Sequence, residues 1–325
     1  MYKSFYNLTR DPFEITPDPS FLFPTKKHNE ALASLYYGVR RRKGFVVLTG
    51  EVGTGKTLLL RCLLQLLKRN NDVAYAYIFN GRLSPVEFLQ YVAGDFGLAS
   101  SNKNKAELLL ELGNFVIDRG RKNLTTVLVV DEAHQLSTDI LEEIRLLTNL
   151  ETTQSKLLQI LLVGQPELDE KLDSFDLRQL KQRISFRSRL SPLDLSETKG
   201  YIERRLQLAG ANSDASTLFP SQAVAAVFRV TSGFPRLINT VCENALIAAY
   251  SQQLKSVTPE MVEDIATEFR LGVVRSSWSG NSKSIEDGEI RNAAKALLNL
   301  YDRLQNTAVP IPQSSAAAAP EIAKH

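Results

Sequence analysis

Gly50-Glu51-Val52-Gly53-Thr54-Gly55-Lys56-Thr57 is the stretch on which the fold turns. The apolar run Phe45-Val46-Val47-Leu48 precedes it and Leu58-Leu59-Leu60-Arg61-Cys62-Leu63-Leu64 follows. It therefore reads as strand, glycine-rich turn and helix, with the spacing G-x-x-x-x-G-K-[ST] of a phosphate-binding loop. Its glycines let the main chain take positive φ and come close to a ligand. The freed N–H groups between Gly50 and Leu58, with the positive start of the following helix, suit a polyphosphate. Lys56 is expected to bridge the β and γ phosphates of ATP, and the Thr57 hydroxyl to ligate Mg²⁺. The simpler alternative, a turn that only joins a strand to a helix, does not account for the matching context on both sides.

The second piece of chemistry is Thr126-Val127-Leu128-Val129-Val130-Asp131-Glu132. A continuous apolar run of this kind suits a central parallel strand buried on both faces. It ends in two carboxylates, where open α/β sheets bind their ligands. A strand running into an acidic loop is common by itself. Downstream of a phosphate-binding loop it reads as a Walker B element. Asp131 would then hold Mg²⁺ through its water shell, and Glu132 would orient and deprotonate the water attacking the γ-phosphate.

Other apolar runs complete a five-stranded parallel sheet: Asp72 to Phe79, Leu157 to Val163, and the short Ile184-Ser185-Phe186-Arg187. Helices are expected between them, at 28–42, after the N-cap Ser84 with Pro85, over Lys105 to Arg119, and after Ser137 or Thr138. Strand and helix in alternation give a parallel sheet covered on both faces. Gln165, directly after the 157–163 strand, is a candidate γ-phosphate sensor if that strand lies beside the acidic pair. Arg178, Lys181, Arg183, Arg187 and Arg189 follow, either as a solvated face or as a source of an arginine finger for a neighbouring subunit.

From Pro192 the pattern turns helical: Ser196–Ala209, Ser221–Thr231, Pro235–Gln253 and Pro259–Leu271. Arg236, in the first turn of the third of these, opposes the helix dipole and is a candidate for sensing nucleotide from the helical part. The expected division is an N-terminal arm (1–27), an α/β part (28–191), a helical lid (192–272) and a tail (273–325). The arm is rich in Pro and aromatic residues and reads as extended, either closing over a nucleotide base or acting as a structural clasp. In the tail a short amphipathic helix is expected over Glu286 to Gln305, with disorder beyond it.

Composition narrows the functional classes. With 39 basic and 36 acidic residues the net charge is only +3, so a polyanion would need a local cluster such as Arg40-Arg41-Arg42-Lys43. Cys62 and Cys242 sit in predicted helices and read as buried small hydrophobes in a reducing compartment. His28, His134 and His325 are far apart in sequence and give no zinc spacing. No stretch reaches the ~20 apolar residues of a membrane span, so a cytoplasmic protein reaching a membrane only through a partner is expected.

Taken together, these motifs resemble the AAA+ ATPases. Within that class the chain is similar to the ExeA/GspA-type secretion ATPases. The resemblance rests on Phe21-Leu22-Phe23, His28-Asn29-Glu30-Ala31-Leu32, the phosphate-binding loop, Val130-Asp131-Glu132-Ala133-His134, Val163-Gly164-Gln165-Pro166-Glu167-Leu168 and Gly233-Phe234-Pro235-Arg236. It implies a homo-oligomeric ATPase with sensor 1 at Gln165, sensor 2 at Arg236 and a trans finger at Arg183, with Arg187 second. It also implies a restraint on the catalytic glutamate at Asn80. Longer secretion members carry a membrane span and a peptidoglycan-binding region, so the resemblance here is to a short form serving secretion or exopolysaccharide export. The expected partner is a protein of such a system. A DNA-bound regulator of transposition, which shares much of this core, and a scaffold without turnover are the alternatives.

Overall fold

The computed structural model describes residues 2–271, except 70, 71, 80, 82, 153, 154 and 212–214. Asn80 and the helix expected over 286–305 lie outside the described residues. Five strands form one parallel sheet: β1 Phe45–Gly50, β2 Val73–Ile78, β3 Thr125–Val130, β4 Leu158–Gly164 and β5 Ile184–Leu190, in the order β2-β3-β4-β1-β5. Every residue of β1, β3 and β4 is buried, as a central strand covered on both faces requires.

The period of two along the strands divides their side chains between two cores. Phe45, Val47, Leu128, Val130, Ile160 and Leu162 face the helices Pro85–Asp95, Lys105–Arg121 and Thr138–Leu147. Val46, Leu48, Val127, Val129, Leu161 and Val163 face the helices Lys26–Arg40 and Lys56–Lys68. A third core is built by the helices Leu195–Leu208, Ser221–Thr231, Pro235–Ser251 and Pro259–Glu268. Among the described residues no helix is long and apolar enough to cross a membrane. Cys62 and Cys242 are free and buried, and burial pushes the Cys62 thiol up to about 12.

Several boundaries differ from the sequence reading for local reasons. The first long helix starts at Lys26, capped by the Thr25 side chain, and ends at Arg40; Arg42 already has φ +51°. The helix expected from Ser196 starts at Leu195, because Asp194 and Glu197 form a capping box. The arm is not uniformly extended: Tyr2–Phe5 makes one helical turn ahead of the prolines, and Pro19–Phe21 makes a 3₁₀ turn. Its apolar side chains enter the helical core. Phe13 is fully buried there against Phe219, and Phe5 packs on Tyr250. The buried Arg205 fastens the arm by donating to the carbonyls of Pro12 (2.5 Å) and Glu14 (3.0 Å), and its guanidinium lies over Phe21. Leu22 belongs to the sheet core instead, so the arm is moored at both ends.

Candidate functional site

The strand order brings the C-terminal ends of β1, β4 and β3 side by side. The phosphate-binding loop after β1, Gln165 after β4 and the acidic pair after β3 therefore share one edge, with Gln165 on the middle strand. The loop is shaped by its glycines. At Gly50 a Cβ would lie 2.9 Å from Thr54 Oγ1 and 3.1 Å from the Leu190 carbonyl oxygen, and Gly53 and Gly55 hold φ +83° and +97°. Gly55 is the N-cap of the Lys56–Lys68 helix and caps it with no side chain, which leaves first-turn N–H groups for a ligand. Thr54 folds back through its hydroxyl to the Glu51 carbonyl (2.8 Å). Glu51 and Val52 form the outer bend, with Val52 exposed, and Leu58 is the third residue of the helix.

Lys56 is buried, and its Nζ donates to the carbonyls of Gly50 (2.8 Å) and Glu51 (3.0 Å). Burial lowers its pKa, while Glu132 and Asp131 oppose that shift. Asp131 is nearly fully buried and its carboxylate is held from three sides. Oδ2 accepts from the hydroxyls of Thr57 (3.0 Å) and Tyr77 (2.9 Å), and Oδ1 accepts from the Glu132 N–H (2.9 Å). The donor set fits Mg²⁺. A hydroxyl and a carboxylate are hard oxygen donors of the kind Mg²⁺ takes, directly or through its waters. Here the Thr57 hydroxyl donates to Asp131 Oδ2, which keeps the two donors side by side. Among the described residues no group of three or more His, Cys, Asp or Glu surrounds a point. An ion here would rely on phosphate and water for its other ligands, as Mg²⁺ commonly does.

Glu132 has φ +52°, a conformation unusual for a side chain of this size, and it turns the chain into Ala133–Gln135. Its Oε2 is buried without a hydrogen bond and lies 3.4 Å from His134 Nδ1. Gln165 reaches His134 from β4, Nε2 to Nε2 at 3.0 Å. Two more residues join the site that the motif did not point to. Tyr77, on β2, reaches Asp131 because β2 pairs with β3; burial and the carboxylate raise its pKa. His28, in the first turn of the Lys26–Arg40 helix, holds the loop from behind, with Nε2 3.1 Å from the Thr54 carbonyl oxygen and Nδ1 2.7 Å from Thr25 Oγ1.

Arg236 sits against the loop from the helical side. Its backbone N–H donates to the Gly53 carbonyl (3.3 Å), and a Cβ on Gly53 would lie 2.9 Å from Arg236 Cβ, while the residue as a whole is exposed. Arg183 is elsewhere. It precedes β5, at the opposite sheet edge, and lines a polar cleft of about 750 Å³ with Lys43, Glu151 and Lys156. It cannot serve its own chain's loop, as a finger acting in trans would not. Arg187 is committed within the chain: it pairs with Asp173 (3.2 Å) and Asp169 (3.4 Å), and Asp169 also accepts from Thr49 (2.6 Å). Arg40 and Arg42 are engaged too, with Asp72 (2.7 Å) and the Leu124 carbonyl (3.4 Å).

Residues 39–172 match a family model described as an AAA domain. That segment carries the loop, the acidic pair and Gln165. The chain belongs to the AAA+ family. This AAA+ protein is 43% identical over 256 residues to General secretion pathway protein A of Aeromonas hydrophila. The match covers 78% of the chain and 45% of that relative, so the chain spans less than half of the curated relative's length. Among solved structures, ORC2 of Aeropyrum pernix superimposes with a TM-score of 0.61 at 17% identity, covering 90% of this chain and 84% of that one. Cdc6p of Pyrobaculum aerophilum gives a TM-score of 0.60 at 19% identity, with 82% and 70% covered. Drosophila ORC bound to DNA also gives 0.60, at 22% identity, with 82% and 66% covered. At these identities the structural matches establish the AAA+ fold of this protein.

Proposed function

We propose that this protein is an Mg²⁺-dependent ATPase that acts as a homo-oligomer and drives or regulates a secretion or exopolysaccharide-export machinery. One observation carries the reading: the Thr57 hydroxyl, in the helix after the glycine loop, donates to Asp131 at the end of β3 (3.0 Å), which joins the loop to the acidic pair, with Glu132 next in the chain. The loop N–H groups would hold the phosphates, and Lys56 would leave the Gly50 and Glu51 carbonyls to contact the β and γ oxygens. Mg²⁺, held by Thr57 with Asp131, would neutralise charge on those oxygens. Glu132 would take the proton of the attacking water, with Gln165 donating to the γ-phosphate and Arg236 reaching it from the helical side. Arg183 would act on the site of a second copy. The export role is supported by the relationship to General secretion pathway protein A.

Lys56→Ala is expected to abolish ATP binding. Glu132→Gln is expected to keep binding and lower turnover by roughly 10²–10⁴-fold, the usual contribution of a positioned base. Turnover of Glu132→Gln at the wild-type rate would remove Glu132 from its role. A wild-type protein without magnesium-dependent affinity for adenine nucleotides would end the reading altogether.

A further inference from the structure

Arg183 is fixed by its neighbours in the chain and not by its own side chain. Among the described residues its guanidinium has no hydrogen-bond or ion-pair partner, and it lies in the polar cleft with Lys43, Glu151 and Lys156. Its backbone N–H donates to the Leu180 carbonyl (3.0 Å). Two residues earlier, Lys181 Nζ reaches Asp173 Oδ1 (3.1 Å), and four residues later Arg187 Nη1 reaches the same oxygen (3.2 Å). One carboxylate oxygen thus brackets the segment that carries Arg183. The bracket continues inward: Arg187 Nε lies 3.4 Å from Asp169 Oδ1, and Asp169 Oδ2 accepts from Thr49 (2.6 Å), the residue before Gly50. Both carboxylates belong to the helix Glu167–Leu172 and its C-cap, which follow Gln165 and Pro166.

We propose that Asp173 is a positioning residue for Arg183: with Lys181 and Arg187 as its two grips, it sets the place from which Arg183 reaches the loop of a second copy. The inference rests on the reading of Arg183 as a finger acting in trans. As sources of stability these pairs are poor. The side chains of Asp173, Lys181 and Arg187 are 45%, 51% and 32% exposed, and exposed ion pairs contribute little to folding. What two cations on one oxygen do supply is geometry. A finger works only if its guanidinium arrives where charge develops on the transferred phosphate, and an arginine with no partner in its own chain has only its backbone to aim it. Asp173 holds that backbone on both sides of Arg183 and leaves the guanidinium unengaged. Asp169 joins the same bracket to Thr49, so the finger segment is referenced to the strand end that also carries this chain's phosphate-binding loop. Arg187 thereby acquires a part within its own chain that it could not play as a finger.

ATPase assays on mixed variants test this. Asp173→Ala should keep ATP affinity within about twofold and lower kcat by roughly ten- to a hundred-fold, the scale of a group displaced by about 1 Å and less than the loss of a whole finger. Asp173→Glu, which keeps the charge, should recover part of that loss. Mixed with Lys56→Ala, Asp173→Ala should regain activity, because the finger of the Lys56→Ala copy then serves the intact loop of the Asp173→Ala copy. Mixed with Arg183→Ala it should regain none, because no copy supplies a well-placed finger. The reverse pattern, rescue by Arg183→Ala and not by Lys56→Ala, would put the defect in the variant's own loop and overturn the proposal. A wild-type kcat would overturn it too, as would failure of rescue by either partner with circular dichroism matching wild type. Should Asp173→Ala not fold, Arg187→Gln, which opens the bracket from its other side, is read in the same way. Arg183→Ala mixed with Lys56→Ala is the control that separates the causes: rescue there beside a failed Asp173 pattern sinks the positioning role alone, and no rescue there removes the finger with it.

Discussion

His28 couples the stability of the fold to pH through a single ring. It is buried to 6% exposure, which favours the neutral ring: Nε2–H donates to the Thr54 carbonyl of the phosphate-binding loop, and Nδ1 lies 2.7 Å from Thr25 Oγ1, whose hydroxyl can donate to it. Burial lowers its pKa from the usual value near 6.5, with the Thr54 carbonyl and Glu197, the charged group that faces it, pulling the other way. The sign follows. Below about 6.5 the unfolded chain binds a proton at this position and the folded chain does not, so stability is full above that pH and falls as the pH drops towards the folded pKa. Within that window the loss is at most ~1.4 kcal/mol per pH unit from this residue. His28→Gln keeps a donor in reach of Thr54 and cannot titrate. Urea unfolding at pH 7.5 and 5.5 should therefore show wild type losing roughly 1 kcal/mol more than His28→Gln over the interval. His28→Ala, which leaves the Thr54 carbonyl without its partner, should cost about 1–3 kcal/mol at pH 7.5. Equal pH losses in wild type and His28→Gln would refute the reasoning, because no other group changes between them.

Phe13→Ala removes a fully buried ring from the helical core and should destabilise the protein by about 3–5 kcal/mol in the same assay; a change below about 1 kcal/mol would mean that the arm does not hold the core. Gly233→Ala would place a Cβ 1.9 Å from the Leu193 carbonyl oxygen at φ +76° and should cost roughly 2–5 kcal/mol, whereas Gly97→Ala, at φ +79° with open space around it, should cost only ~1–2 kcal/mol. Arg183→Ala should be inactive alone and recover part of its ATPase activity when mixed with Lys56→Ala, since a mixed interface that sets the Lys56→Ala copy's finger against the Arg183→Ala copy's loop has both parts intact. Absence of rescue at every mixing ratio would place the whole site within one chain.

The loop between Gly50 and Thr57 was legible because its meaning lies in eight consecutive residues, whose glycines, lysine and threonine each act where they stand. Asp131 and Glu132 were legible at the end of an apolar strand, and Gln165 once its strand was set beside theirs, which the pairing of β3 with β4 satisfies. Tyr77, His28 and His134 were not, for a common reason. Their roles depend on which strand lies next to which, and nothing within β2 states that its Tyr77 will face the carboxylate of β3. His28 and His134 are far apart along the sequence, while each meets its partner across a turn or a strand end. For the arm, composition required that Phe13 be buried but left open where, since apolar side chains carry no address. The start of the Leu195–Leu208 helix was missed although Asp194 and Glu197 have the capping-box spacing, because Ser196 is as good a cap by type.

The mooring of the arm sets a mechanical limit. Phe13 is anchored among the helices that present Arg236 to the loop, Leu22 is anchored under the sheet, and between them Arg61 of the Lys56–Lys68 helix grips the Pro17 carbonyl at 2.6 Å. The nine peptide units from Phe13 to Leu22 can span no more than roughly 30 Å when drawn taut. Swinging of the helical body away from the sheet thus has a fixed stop, and force applied at one body travels to the other along a leash of covalent bonds as well as through the Gly53–Arg236 contact.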